Sequence, residues 1–324
     1  MVTVRSRTHI GRTPSSPGAR FSRTQLAFSG AAQLFRCEPG ATALRSRAMR
    51  GLLSIVLATT ACLVAAPAAF ATTETASGGN VTATFTFQGK FPNYRGERLE
   101  ITQGGAVFYN EPVTSKFCGD QCAPYSSITG KSAVAVVDLE HDGQPDVVLD
   151  LYSGGAHCCT IVQVFSYDPG TMTYTETETN FGDPQARIVD LRHNGRFEFL
   201  TADDTFAYEF TDYAGSGLPI KILRFTGGGF LDVTGNYPRL VASDAAFWLK
   251  AYKRTASEHY QDSAGVAAAW AADEERLGHG KLVRTFLAQQ ASLGHLNSPL
   301  YPQQGGRRFL TKLLRFLRRH GYLG

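Results

Sequence analysis

Between residues 136 and 159 the chain reads VVDLEHDGQPDVVLDLYSGGAHCC. Asp138, Glu140 and Asp142 stand at alternate positions, Gly143 follows, and Asp146 completes the set. Like charges this close repel one another unless a cation holds them. Carboxylate oxygens at alternate positions of a tight loop can converge on one centre. That suits calcium, which takes about six to eight oxygens in flexible geometry. The plainer account of the same residues is a tight, Gly-containing turn between strands.

The pattern recurs. IVDLRHNGRFEFLTA, from Ile188, aligns without gaps with VVDLEHDGQPDVVLD, from Val136, so the interval is 52 residues. Asp190, Asn194 and Glu198 persist in the second copy, but Arg192 stands where the middle acid should be. Its guanidinium is expected to replace a metal there as an internal salt bridge.

Cys118, Cys122, Cys158 and Cys159 are the cysteines beyond residue 71. An even number in an exported chain reads as disulfides. A bond between Cys158 and Cys159 closes an eight-membered ring, so at least one bond joining FCGDQC to HCC is expected. Adjacent ligands fit a tetrahedral zinc site poorly, which disfavours a zinc reading that would add His157. His157 lies beside Gly154-Gly155, where backbone can approach a ligand, and is a candidate ligand contact. There is no G-x-S-x-G and no H-E-x-x-H. Asp203 and Asp204 are adjacent at the end of a strand-like run, where neighbouring side chains point to opposite faces.

These residues need elements to position them. From residue 80 to about 233 the chain alternates in strand-like runs broken by Gly, Asn, Asp and Pro: NVTATFTFQG, RLEITQGGAVFYNEPV, AVAVVDL, DVVLDLY, TIVQVFSYD, MTYTETE, ARIVDL, FEFLTAD and IKILRFTGGGFLDVT. β-Branched and aromatic residues dominate them. Beyond residue 238 the pattern turns helical. AAFWLKAYKRTASEHY is a first helix with Ser243 as N-cap, and AGVAAAWAADEERLG a second ending at Gly278. KLVRTFLAQQASLG is a third, and GGRRFLTKLLRFLRRHGYLG a fourth, stopped by Gly321. In the fourth, Phe309, Leu310, Leu313, Leu314 and Leu317 share a face opposite basic residues. That helix is expected to dock on the acidic β part rather than on a membrane.

Residues 49–71 carry the marks of a secretory signal. Arg45, Arg47 and Arg50 form a positive region, Leu52 to Val64 an apolar one, and Ala69-Phe70-Ala71 a small-x-small cleavage site. Because such a signal sits at an N-terminus, Met49 is a candidate start and residues 1–48 an Arg-rich, disordered leader from an overlong reading frame. Without residues 1–71 the chain has 23 basic and 27 acidic residues. Residues 72–237 carry a net −11 and residues 238–324 a net +7, which marks a domain boundary.

Over residues 131 to 232 the repeats resemble the FG-GAP/VCBS repeats of integrin-type β-propellers, with their D-x-D-x-D-G-x-x-D loop. The resemblance implies a structural Ca2+ held by Asp138, Glu140, Asp142 and Asp146 side chains and the Gln144 carbonyl. A closed propeller does not fit, since at least four blades are usual and four copies of this unit exceed the span. The expected fold is mainly β: a partial propeller-like array of about three antiparallel sheet units, at 72–237, and a small C-terminal helical domain, at 238–324, covering its open end. The expected function is a secreted, calcium-stabilised module binding carbohydrate, protein or cell wall. The alternative is a secreted hydrolase with carboxylates near Asp203, Asp204 and His157. The export signal and the acidic β part argue against nucleic acid as a partner.

Overall fold

The computed structural model describes residues 71–128, 130–257, 263–297 and 305–323. The expected secretory signal and the leader expected before it lie outside these apart from Ala71. Three antiparallel sheets come first. The strands β1 (Ala71–Gly78), β2 (Val81–Lys90), β3 (Asn93–Gln103) and β4 (Ala106–Pro112) form a four-stranded meander in sequence order. The short β5 (Ala123–Pro124), then β6 (Val134–Val137), β7 (Asp146–Tyr152), β8 (Thr160–Asp168) and β9 (Thr173–Gly182) build the second sheet, in which both β5 and β6 pair with β7. The third sheet is the meander β10 (Arg187–Val189), β11 (Glu198–Ala202), β12 (Ile220–Thr226) and β13 (Gly229–Asp232). Four helices follow: α1 (Pro238–Ser257), α2 (Ala264–Arg276), α3 (Gly280–Ser292) and α4 (Arg307–Arg319). The sheets do not close into a barrel.

The sheets are stacked, and residue parity shows how. Val147, Leu149 and Leu151 of β7 join Phe85, Leu99 and Ile101 of the first sheet in one core. Val148 of β7, with Val162 and Val164 of β8, joins Phe199 and Phe225 of the third sheet in another. Alternate residues of a strand point to opposite faces. The second sheet is therefore covered on both sides, which is why β7 is buried continuously from Asp146 to Leu151 rather than at alternate residues. On the far face of the third sheet Ile222 packs with Val233 and Tyr237, and Leu200, Ile220 and Leu240 close around them. The helical segment begins there, with Leu240 in the first turn of α1, so it covers the face that the stack would otherwise leave open.

Two expectations are corrected at the element scale. α1 starts at Pro238, a residue suited to a first helical turn, so Ser243 is not its N-cap but lies inside it. Asp244 accepts hydrogen bonds from the Ile220 amide and the Trp248 indole, both at 2.9 Å, and so ties the helix to β12. The strand β1 went unread because TTETAS carries little apolar signal. It forms by pairing with β2 from Ala71↔Gln88 to Gly78↔Val81.

The helices share a core with the loop that follows β11. Phe309, Leu313, Phe316 and Leu317 of α4 are buried. The Phe316 ring meets Phe206 edge-on at 4.8 Å and Phe210 at 5.3 Å, both from that loop. α2 is buried along nearly its whole length, as its Ala-rich sequence permits.

Candidate functional site

The acidic loop is the connection between β6 and β7. Asp138 accepts the amides of Asp142 at 3.0 Å and Gly143 at 2.9 Å, and Asp142 accepts the amide of Gln144 at 2.9 Å. His141 and Gly143 take positive φ angles of 57° and 86°, which let the chain reverse in so few residues. Asp146, at the start of β7, accepts the Leu139 amide at 3.2 Å and the Ser166 hydroxyl of β8 at 2.5 Å. It is almost fully buried. Burial above all, with the nearby charges of Glu140 and Asp142, pushes its carboxyl up to about 7 against these hydrogen bonds.

The loop between β10 and β11 repeats this turn, with one added bond from the Arg192 amide to Asp190 at 3.2 Å. Asp190 accepts the amides of Asn194 at 3.1 Å and Gly195 at 2.8 Å, and Asn194 accepts that of Arg196 at 3.2 Å. His193 and Gly195 have φ angles of 54° and 84°. Glu198 accepts the Leu191 amide at 3.4 Å, as Asp146 accepts that of Leu139.

The two loops differ in what faces the closing acid. Arg192 does not form the expected internal salt bridge. Its guanidinium donates to the Asn236 carbonyl at 3.3 Å and lies 5.0 Å from the Tyr237 ring centre, where it stacks outside the loop. Arg224 of β12 pairs with Glu198 instead, at 2.6 Å. Ser166 of β8 is the corresponding third-strand residue in the first unit, where it meets Asp146 as a neutral donor. The second unit thus carries its own cation against the acid, and the first does not.

Glu140 acts between sheets. Its carboxylate accepts the Gly227 amide, in the turn between β12 and β13, at 3.0 Å, and its carbonyl accepts Arg196 Nε at 2.8 Å. A Cβ on Gly195 would meet the His141 ring at 2.5 Å, so the second loop lies flat against the first. Among the described residues no three His, Cys, Asp or Glu side chains are gathered to hold a metal. The donor chemistry of Asp138, Asp142 and Asp146 nevertheless fits a hard cation. A carboxylate accepts about four hydrogen bonds, and backbone amides occupy only part of that capacity.

The cysteines are paired within their segments, Cys118 with Cys122 and Cys158 with Cys159. This overturns the expected bond between the segments. The reason is a tight turn after Cys118, where the Gln121 amide donates to the Cys118 carbonyl at 3.1 Å and leaves the Cys118 and Cys122 Cα atoms 5.4 Å apart. That is disulfide distance.

The residues of the hydrolytic alternative fall in two places. Asp203 and Asp204 line a cleft of about 250 Å³ with Asn180 and Lys221. Asp203 accepts the Tyr322 hydroxyl at 2.7 Å, the Thr205 hydroxyl at 2.9 Å and Lys221 Nζ at 3.3 Å. Burial raises its carboxyl, but Lys221 and these hydrogen bonds outweigh burial and hold it below its usual value. Burial holds Asp204 above its own. His157 is not in this cleft; it is exposed and stacks on the Tyr213 ring at 4.1 Å.

The chain is similar to the "Probable thylakoid lumen protein sll0997" of Synechocystis sp., with 33% identity over 102 residues, 31% of this chain and 30% of that protein. It is also similar to the "Uncharacterized protein y4bJ" of Sinorhizobium fredii, with 26% identity over 195 residues, 56% of this chain and 30% of that protein. The chain therefore spans about 30% of the length of the relatives it matches. No family model and no solved structure matches it.

Sequence reasoning missed two participants. Ser166 and Arg224 lie 20 and 26 residues from the acids they contact, and only strand pairing brings them there. A signal was available only in part: each sits near the end of a strand-like run of its repeat.

Proposed function

We propose that the protein is an extracytoplasmic β-repeat binding module of the FG-GAP/VCBS kind, a partial propeller-like array stabilised by calcium at its first acidic loop. One observation carries the reading: two successive sheets fold the same acidic turn, and the second sets Arg224 against Glu198 where the first sets only Ser166 against Asp146. A bound cation in the first unit would play the electrostatic part that Arg224 plays in the second. Asp138, Asp142 and Asp146 would hold it, with the Gln144 carbonyl. Glu140 belongs to the same loop but already serves the contact with Gly227. The lumenal description of the Synechocystis relative agrees with export, as do two disulfides, which persist in oxidising compartments.

The test is thermal unfolding with and without calcium. Calcium should raise the melting temperature of the wild-type protein, and chelator should lower it. Indifference to both would reduce the loop to a turn.

One observation favours a hydrolytic reading: two adjacent carboxyls in one cleft are shifted in opposite directions. Asp203 is already held by Tyr322, Thr205 and Lys221, which suits a structural anchor better than a reacting group. Turnover of a glycoside or ester substrate that Asp204→Asn abolishes would favour the enzyme.

A further inference from the structure

A second cleft, far larger than the one at Asp204, opens among three loops of the first two sheets, with a volume of about 620 Å³. That lies within the usual range of small-molecule sites, about 300–1,000 Å³. One wall is the tip of the β2–β3 hairpin, with Phe91, Asn93, Tyr94 and Arg95. The opposite wall is the disulfide loop, with Phe117 and Gln121, and Gly154 and Gly155 form a backbone rim beside the vicinal cysteines.

The cleft combines rings with uncommitted polar heads. Phe91 is 59% exposed and Phe117 40% exposed, a cost in water unless a partner covers them. The loop that carries Phe117 is braced. Phe117 follows the Ser115 turn, where its amide donates to Ser115 Oγ at 3.0 Å, and the Cys118–Cys122 bond closes the loop behind it. Tyr94 is held edge-on against Phe87 at 5.5 Å. The side chains of Asn93, Gln121 and Arg95 make no hydrogen bond or ion pair with any described residue. Among the described residues that line the cleft Arg95 is the charged one, and a second cation, Lys116 Nζ, lies 4.9 Å from the Phe117 ring centre. Rings that cover apolar C–H faces, set among amides and a guanidinium that bind hydroxyls and a carboxylate, match one ligand chemistry above others. That ligand is an oligosaccharide bearing acidic groups. A peptide adding to a sheet edge would instead need a row of free backbone groups, and the walls here are loops and the hairpin end of β3, whose residues Asn93 to Arg95 already pair with β2.

We propose that this cleft binds a short acidic oligosaccharide, with sugar rings lying on Phe91 and Phe117 and a sugar carboxylate meeting Arg95. The inference deepens the binding-module reading and rests on it. Calorimetric titration with uronic-acid oligomers, and with neutral β-1,4-linked glucose oligomers of the same length, tests it. Uronic-acid oligomers should bind, and Phe91→Ala and Phe117→Ala should each weaken them by about tenfold or more. Arg95→Gln should erase the preference over neutral oligomers. Phe91 and Phe117 are exposed loop positions and Arg95 an exposed position near the start of β3, so circular dichroism should show an unchanged fold. Absence of binding to either series overturns the assignment, and so does binding that all three variants leave intact. Asp142→Ala separates the two readings. Sugar affinity retained in a variant that no longer responds to calcium supports the cleft independently of the loop. A calcium response in a wild-type protein that binds no sugar removes the cleft and leaves the module.

Discussion

Asp142 and Asp146 have different duties in one loop, and substitution should separate them. Asp142 is exposed and caps a single amide, so Asp142→Ala should cost little in metal-free buffer while abolishing the calcium response. At ten times a dissociation constant, linkage stabilises by about 1.4 kcal/mol, a readable shift in melting temperature. Asp146 is buried against Ser166 and Leu139, so its loss would disturb the sheet itself. Asp273 offers a second residue-scale test. It is fully buried in α2, and burial first, then the Asp244 carboxylate beside it, pushes its carboxyl up to about 10. The folded protein therefore holds a proton there that the unfolded chain releases near pH 4. Stability from this group is full below that pH and declines until pH passes about 10. Asp273→Asn puts a neutral amide in this buried place without needing the proton. Denaturant unfolding at pH 5 and pH 9 should show a smaller loss for Asp273→Asn than for wild type; equal losses would remove Asp273 as the cause. The acidic spacing of both loops was legible in the sequence because it is local. The opposed Arg224 was not, because its neighbour Glu198 is reached only across the β11–β12 pair.

At the scale of elements, α4 and the acidic loops both act as fasteners. α4 places Phe316 between Phe206 and Phe210, so Phe316→Ala should destabilise by about 3–5 kcal/mol, the usual range for emptying a buried aromatic site. Chemical denaturation measures it, and a loss below about 1 kcal/mol would mean that the helix is only loosely seated. The amphipathic pattern of this helix was readable from Phe309 to Leu317, since a 3.6-residue period needs no tertiary information. Its partners were not, because Phe206 and Phe210 lie in a loop about 100 residues earlier, with no periodicity of their own. The same limit explains the cysteines. Their number implied two bonds, but the choice among pairings depended on the turn from Cys118 to Gln121. Peptide mapping without reduction should recover Cys118 with Cys122 and Cys158 with Cys159. A peptide cross-linking the two segments would contradict the fold described here.

For the whole molecule, the stack of three sheets and a helical cover depends on parity. The run DVVLDLY had to be buried on both faces, and Val148 and Leu149 pack into different cores. The sequence by itself determined what is periodic or repeated: strands of alternating pattern, the helical C-terminal part, the 52-residue interval and the charge break near residue 238. These follow from interactions between residues a few positions apart, and from a repeated unit that folds the same way twice. Only the tertiary structure decided which charge answers Glu198, where Glu140 points, how the cysteines pair, and that the rings of Phe91 and Phe117 face one cleft. Each of those joins residues from different strands or loops. Their meeting is set by sheet register and stacking, which no local pattern specifies.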